Sequence, residues 1–255
     1  MQVKLPIILV NLFCLLISGI NCSKNNLPEA KIKILLTIGG HDFQQKQFFK
    51  MFDNLPGLSY DCIPLPDSAS LLRPGLEKKY DAIVRYDMVN GISPEQQLAF
   101  IELLKQGIGL VSLHHNLAAH RDWDEYVNII GGKYLFEPKL LDGKMLEKSD
   151  YSHDQDFLVQ VVDSNHPITQ GIDDFEIHDE TYINYYTSPK PHILLKTDYV
   201  NSDAEIAWVK QYEKSPVCYL LLGHDSRAWE NPQYVKILSN AIHWVARESK
   251  KMQRD

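Results

Sequence analysis

Residues 31–40 read KIKILLTIGG. Apart from two lysines near its start, the run is apolar with several β-branched residues, and Gly39-Gly40 ends it. Such a stretch is a buried strand followed by a tight turn. Working outward, residues 43–54 place Phe43, Phe48, Met51 and Phe52 at helical spacing, and Pro56-Gly57 ends that helix. A strand is expected at 58–63, a short helix near 68–77 and a strand at 81–87. Ser93 caps a helix that runs to Leu104 with Pro94 in its first turn, and Gly107 and Gly109 lead into a strand at 108–113. Strands alternating with helices imply βαβ units and hence an α/β domain with a mostly parallel sheet.

The second half is less regular. Strands are expected at 157–162, 192–197, 205–212 and 216–222, and a last helix from Asn231-Pro232 to about Glu248. Residues 132–156 lack apolar periodicity and read as a long excursion over the surface, covering a site. Nothing marks an internal boundary, so residues 31–249 form a single domain.

The chain has 255 residues, 44% hydrophobic and 23% charged, which allows one large domain with a full core. A net charge of -7 without a Lys/Arg cluster excludes general nucleic-acid binding. No GxGxxG or Walker pattern occurs, so no nucleotide cofactor is expected. Residues 5–20, LPIILVNLFCLLISGI, follow Lys4 and precede polar SKNN, the basic-then-apolar order of a signal peptide at 1–21. Cys22 and the linker at 22–30 resemble a lipoprotein signal, although Asn21 departs from that pattern. An exported, lipid-anchored protein of the periplasm or cell envelope is the expectation. Within the domain only Cys62 and Cys218 remain, both in strand-like stretches and read as buried free thiols.

Ten histidines are many for this length, and several stand just past expected strands. His41-Asp42 follows the first strand, Tyr86-Asp87 the third, His114-His115-Asn116 the fourth, and Gly223-His224-Asp225 the last. In open α/β sheets ligands bind beyond the carboxyl ends of the strands, so these clusters converge on one crevice. His178-Asp179-Glu180-Thr181-Tyr182 adds two carboxylates and a phenol. Imidazoles with carboxylates hold Zn²⁺ or Mn²⁺, or act as general acid and base near neutral pH. His114 and His115 are adjacent, so strand alternation sends one of them away from the site as a structural hydrogen bonder. His153, His192 and His243 belong to no constellation and are read as surface or core residues. Gly131-Gly132 ends a helix, and His166-Pro167 to Gly171 is a turn.

At these residues the sequence resembles the ThuA-like (trehalose utilisation) family. The resemblance rests on GGHDF (39–43), YDMV (86–89), GIGLVSLHHNLAAHRDWDEYVNIIGGKY (107–134), HPITQGIDDFEIHDETY (166–182) and LLGHDSRAWENP (221–232). It implies the flavodoxin-like architecture of class I glutamine amidotransferases, a doubly wound, mostly parallel sheet with helices on both faces. Where those enzymes carry a nucleophilic cysteine, this chain has His114 and His115, so thiolate chemistry on glutamine is excluded there. His224 falls about where the amidotransferase histidine would stand. The family context is carbohydrate metabolism through 3-keto-glycosides, whose protons beside the carbonyl are acidified.

The leading expectation is therefore an enzyme acting on a glycoside or 3-keto-glycoside by acid/base or metal-assisted chemistry, of isomerase, lyase or hydrolase type. The expected catalytic residues are His115 or His114, His224, Asp87 and Glu180. His41, Asp42, Asn116, Tyr182 and Asp225 are expected to bind substrate, and His114 and His224 to hold a metal. Two alternatives stand beside it. One is a sugar-binding protein that stacks its ligand on Tyr86, Trp123, Tyr182 or Trp229, and the other is a metal-dependent hydrolase.

Overall fold

The computed structural model describes residues 31–189 and 191–253. The expected signal peptide, lipid-anchor cysteine Cys22 and linker lie outside the described residues. The first half runs β1 (Ile32–Gly39), α1 (Gln45–Asp53), β2 (Leu58–Pro64), β3 (Ala82–Asp87), α2 (Pro94–Lys105), β4 (Gly109–Leu113), α3 (Asp124–Ile130) and β5 (Gly132–Lys133). The second half runs β6 (Lys139–Leu141), β7 (Lys144–Leu146), β8 (Asp150–Val161), β9 (Phe175–Ile183), β10 (Tyr186–Thr187), β11 (His192–Lys196), β12 (Glu205–Tyr212), β13 (Ser215–Leu220), α4 (Ser226–Trp229) and α5 (Pro232–Met252).

One sheet of nine strands, ordered β2-β1-β3-β4-β13-β12-β11-β8-β9, carries the molecule. The first five are parallel in the 2-1-3-4-5 pattern of doubly wound folds, as the apolar runs predict. The other four pair antiparallel. Burial explains the division: β3, β4 and β13 are buried at every residue, whereas β8 has one wet face. Neighbouring residues of β3 show the two layers. The Arg85 guanidinium lies over the rings of Phe100 and Tyr126, on the side of α2 and α3, while the Tyr86 ring packs on Phe48 and Trp229, on the side of α1 and α4.

Ser93 and Gln96 form a reciprocal capping box on α2, and Asn231 caps α5 by accepting from Gln233 and Tyr234. The expected helix at 68–77 is instead two 3₁₀ turns, Ala69–Leu71 and Leu76–Lys78. Pro74 and Gly75, the latter at φ +100°, interrupt it. Residues 132–156 are more ordered than expected: they hold the β6–β7 hairpin and the polar first half of β8. Strand β9 was not anticipated at all. Cys62 and Cys218 are free, the former half-buried and the latter buried. Among the described residues, no helix is long and apolar enough to cross a membrane.

Candidate functional site

Past Leu113 the chain turns at once into a 3₁₀ segment, His114–Ala118, with His114 at φ +47°. This left-handed residue breaks strand alternation, so His114 and His115 both reach the crevice rather than opposite sides. The His114 Nδ1–H donates to the carbonyl of Leu221 at 2.6 Å. Its Nε2 is thereby aimed at Tyr182 Oη (3.0 Å), His224 Nδ1 (3.1 Å) and Glu180 Oε1 (3.4 Å).

Glu180 and Tyr182 are alternate residues of β9 and share one face. Asp179, on the other face, accepts from the backbone N–H groups of Gly223 (2.6 Å) and His224 (2.9 Å), which holds the loop after β13 against β9. Gly223 has φ +112°, and a Cβ there would meet Tyr234 Oη at 2.3 Å, so only glycine lets the chain pass. Opposite Glu180 the β8–β9 ladder slips: Ser152 pairs with Thr181 and the next pair is Gln155 with Asp179. His153 and Asp154 bulge out between these pairs. The bulge brings His153 Nδ1 to 2.5 Å from Glu180 Oε2, while His224 Nδ1 lies 3.5 Å from the same oxygen. Arg227 ties the bulge down by bonding both Asp154 and Asp225.

The Glu180 carboxylate thus stands among three imidazoles at the floor of a pocket of about 290 Å³. His41 and His115 form one wall, their ring centroids 4.7 Å apart, and Tyr134, Phe136, Tyr151 and Tyr182 supply aromatic walls. Despite burial, the hydrogen bond and charge of His114 hold the Glu180 carboxyl down at about 2, and Glu180 in turn holds His114 above the usual imidazole range. Burial pushes His224 down to about 4 and His115 well below the usual range, helped in both cases by the charge of His114. His115 is therefore neutral, and among the described residues neither of its ring nitrogens has a hydrogen-bond partner. A larger hollow of about 910 Å³ near the β6–β7 hairpin is lined by carboxylates and tyrosines but no histidine.

The residues expected from the sequence divide into two groups. His41, His115, Glu180, Tyr182 and His224 line the pocket, and His114 lies directly beneath it. Asp87 does not: its carboxylate is fully buried, paired with Arg85 at 2.7 Å and bonded by Thr37 at 2.6 Å. Asn116 is likewise buried, donating to the Asp87 carbonyl and accepting from Ser112 and Tyr126. Asp225 caps α4 and pairs with Arg227, and Asp42 is exposed outside the pocket wall. Tyr86, Trp123 and Trp229 are core residues and offer no stacking face. Sequence reasoning missed His153, which reads as an isolated surface histidine until the register slip is known. Asp179 is one of the two carboxylates of the 178–182 segment, but its hold on the loop after β13 has no signal in the chain.

The donor set fits a divalent ion. His114 Nε2, Glu180 and His224 Nδ1 lie within 4.8 Å of one another. Metal–nitrogen distances of about 2.0–2.1 Å at tetrahedral angles require donors roughly 3.3 Å apart; His114 Nε2 lies 3.1 Å from His224 Nδ1 and 3.4 Å from Glu180 Oε1, while His224 Nδ1 lies 3.5 Å from the other carboxylate oxygen, Oε2. The bond from His114 Nδ1 to a backbone carbonyl is the outer contact that fixes a ligating imidazole in its tautomer.

No curated protein sequence matches the chain. Among solved structures, a ThuA-like protein from Parabacteroides merdae ATCC 43184 superposes with a TM-score of 0.68 at 19% identity, covering 85% of this chain and 90% of that one. A ThuA-like protein from Bacteroides uniformis ATCC 8492 gives a TM-score of 0.65 at 20% identity, covering 87% and 94%. A cytoplasmic protein from Salmonella typhimurium LT2 gives 0.57 at 14% identity, covering 83% and 99%. At these identities the likeness establishes the fold. The family model described as trehalose utilisation matches residues 65–245, well over half of the sequence, and the chain belongs to the ThuA family.

Proposed function

We propose that the protein is an enzyme acting on a glycoside or 3-keto-glycoside, with its chemistry in the pocket around Glu180. The observation that carries this reading is one carboxylate held ionised among His114, His153 and His224, beneath a neutral His115 and beside aromatic walls. Membership of a trehalose utilisation family supports a sugar as the ligand. Aromatic rings stack on the apolar face of a pyranose, while the imidazoles and the carboxylate meet its hydroxyl groups.

In this reading His115 is the base. It is neutral, its ring nitrogens are unpartnered, and it lines the pocket, so it takes a proton from the carbon next to a sugar carbonyl. The Tyr182 hydroxyl, kept protonated by burial and by Glu180, donates to the oxygen that gains charge. Glu180 orients His114 and His224 and balances their charge. A zinc- or manganese-type ion held by His114, Glu180 and His224 would add Lewis-acid polarisation of that carbonyl. Residues 1–30 support export with a lipid anchor at Cys22.

The test is to incubate the purified protein with a 3-keto-glucoside in D₂O, with and without added Zn²⁺ or Mn²⁺, and follow the sugar by NMR. Deuterium incorporation beside the carbonyl, or conversion of the glycoside, is expected, and both should disappear in His115→Ala. A sugar left unchanged under every condition would overturn the reading.

A further inference from the structure

The five parallel strands share one direction, so all of them begin at the end of the sheet opposite the histidine pocket. That end is rich in lysine. Lys78 and Lys79 stand ahead of β3, Lys105 ends α2 just before β4, Lys214 precedes β13, and Lys250 and Lys251 lie in the last turn of α5. Contacts join these segments into one surface. Asp81 accepts from the backbone N–H of Lys33 at 2.8 Å and pairs with Lys250 at 2.8 Å, and a Cβ at Gly107 would meet the carbonyl oxygen of Lys214 at 3.3 Å and Gln253 Cγ at 3.6 Å.

The acids of this end are mostly spoken for. Glu102, Asp81 and Glu248 pair with Lys105, Lys250 and Lys251, and Glu77 accepts from the backbone N–H of Gly75. Lys78, Lys79 and Lys214 are exposed, and among the described residues none of them is in an ion pair. The other end has the opposite sign. Ala207 pairs with Leu220, which puts the start of β12 beside the end of β13. The hollow between that start and the β6–β7 hairpin is lined by Asp142, Glu147, Asp203 and Glu205 with Lys144 as its base. An anionic surface therefore attracts the first end and repels the second.

The position of the expected anchor agrees with the charges. Lys31 stands nine positions after Cys22, a span of at most about 30 Å fully extended. Strand β1 has eight residues, so its ends are about 25 Å apart. With Cys22 in a bilayer, the strand starts reach the headgroups on a slack tether. Turning the pocket end down instead draws the tether nearly to its limit, at a cost in chain entropy.

We propose that the lysine-bearing end docks on the anionic phospholipid surface that holds Cys22, so that the histidine pocket opens to the aqueous side. The proposal rests on the anchor reading above.

Amine acetylation of the full processed protein with sulfosuccinimidyl acetate, read lysine by lysine by mass spectrometry, tests it. The protein is compared in detergent, on phosphatidylethanolamine–phosphatidylglycerol vesicles (about 7:3) and on phosphatidylcholine vesicles. On the anionic vesicles Lys78, Lys79 and Lys214 should react about fivefold more slowly, relative to Lys144, than in detergent, and on phosphatidylcholine the change should stay within about twofold. In the double variant Lys78→Glu/Lys79→Glu, whose side chains are exposed, the protection of Lys214 should also fall to within about twofold. Equal rates at the two ends, protection of Lys144 instead, the same protection on phosphatidylcholine, or undiminished protection in the variant overturns the docking and leaves the anchor standing. A Cys22 peptide without acyl chains in the same spectra overturns the anchor and the docking together, and the sugar reading is tested separately.

Discussion

In the parallel half of the sheet the pocket residues stand on loops just past strand ends: His41 after β1, His114 and His115 after β4, His224 after β13. In the antiparallel half they stand within the strands themselves, Glu180 and Tyr182 inside β9 and His153 at a bulge of β8. The first arrangement is the usual one for a doubly wound sheet, where loops carry the chemistry and the strands carry the loops. The second puts the central carboxylate on a ladder whose backbone hydrogen bonds fix its direction. Imidazoles carried on loops thus meet a carboxylate carried on a strand, and Asp179 joins the two by gripping the loop of His224 from the back of the same strand.

This contrast can be broken at several points, and the largest effect is expected at Glu180. Glu180→Gln keeps the shape but removes the charge that three histidines share, and turnover of a 3-keto-glucoside should fall about 10²–10⁴-fold. Bound zinc, measured by elemental analysis after reconstitution, should be lost in the same variant. If the loops alone made the site, both quantities would survive. Next comes the support beneath the parallel half. Asp87→Asn leaves the Arg85 guanidinium buried without its counter-charge and should cost about 3–5 kcal/mol in urea unfolding.

A pH titration of stability reads the same region. Arg85 Nη2 donates to His120 Nε2 at 2.8 Å, so His120 must be neutral, and burial with the Arg85 charge lowers its pKa to about 3. As pH falls below the unfolded value of about 6.5, the unfolded chain takes up a proton that the folded chain refuses. Stability should therefore drop between about pH 6.5 and 3, and His120→Gln should flatten that part of the profile of midpoint against pH. The smallest effect belongs to the strap over the antiparallel half. Arg227→Ala removes an exposed tie to Asp154 and should change stability by about 1 kcal/mol or less. A larger loss would mean that the β8 bulge, and His153 with it, depends on this one contact.

The parallel half was legible because its strands are short apolar runs bounded by glycine, and because α2 and α5 announce themselves with Ser93-Pro94 and Asn231-Pro232. In the antiparallel half the apolar second part of β8, β11 and β12 were legible too, but the first part of β8 and the whole of β9 were not. The first part of β8 reads DYSHDQD and β9 reads FEIHDETYI, so polar side chains fill positions that apolar patterning needs. The crevice was legible for the same reason as the strands, since position past a strand end predicts location. It does not predict direction. Asp87 and Asn116 occupy strand-end positions yet turn inward, and for Asp87 a signal was available: Arg85, two residues earlier, shares its side of β3 and claims the carboxylate. For His153 no such signal exists in the chain, because a slip in register depends on how two strands meet.

The carboxylate of Asp179 links residues 44 and 45 positions ahead of it, and Gln44 accepts from the backbone of Ser226, 182 positions away. The pocket is thus assembled from the first strand and the last. Glu180, His114 and His153 all precede His224 in the chain, so the set of three imidazoles around the carboxylate is complete only with the loop after the last strand. A chain that ends before Gly223 therefore has neither His224 nor the loop that Asp179 holds.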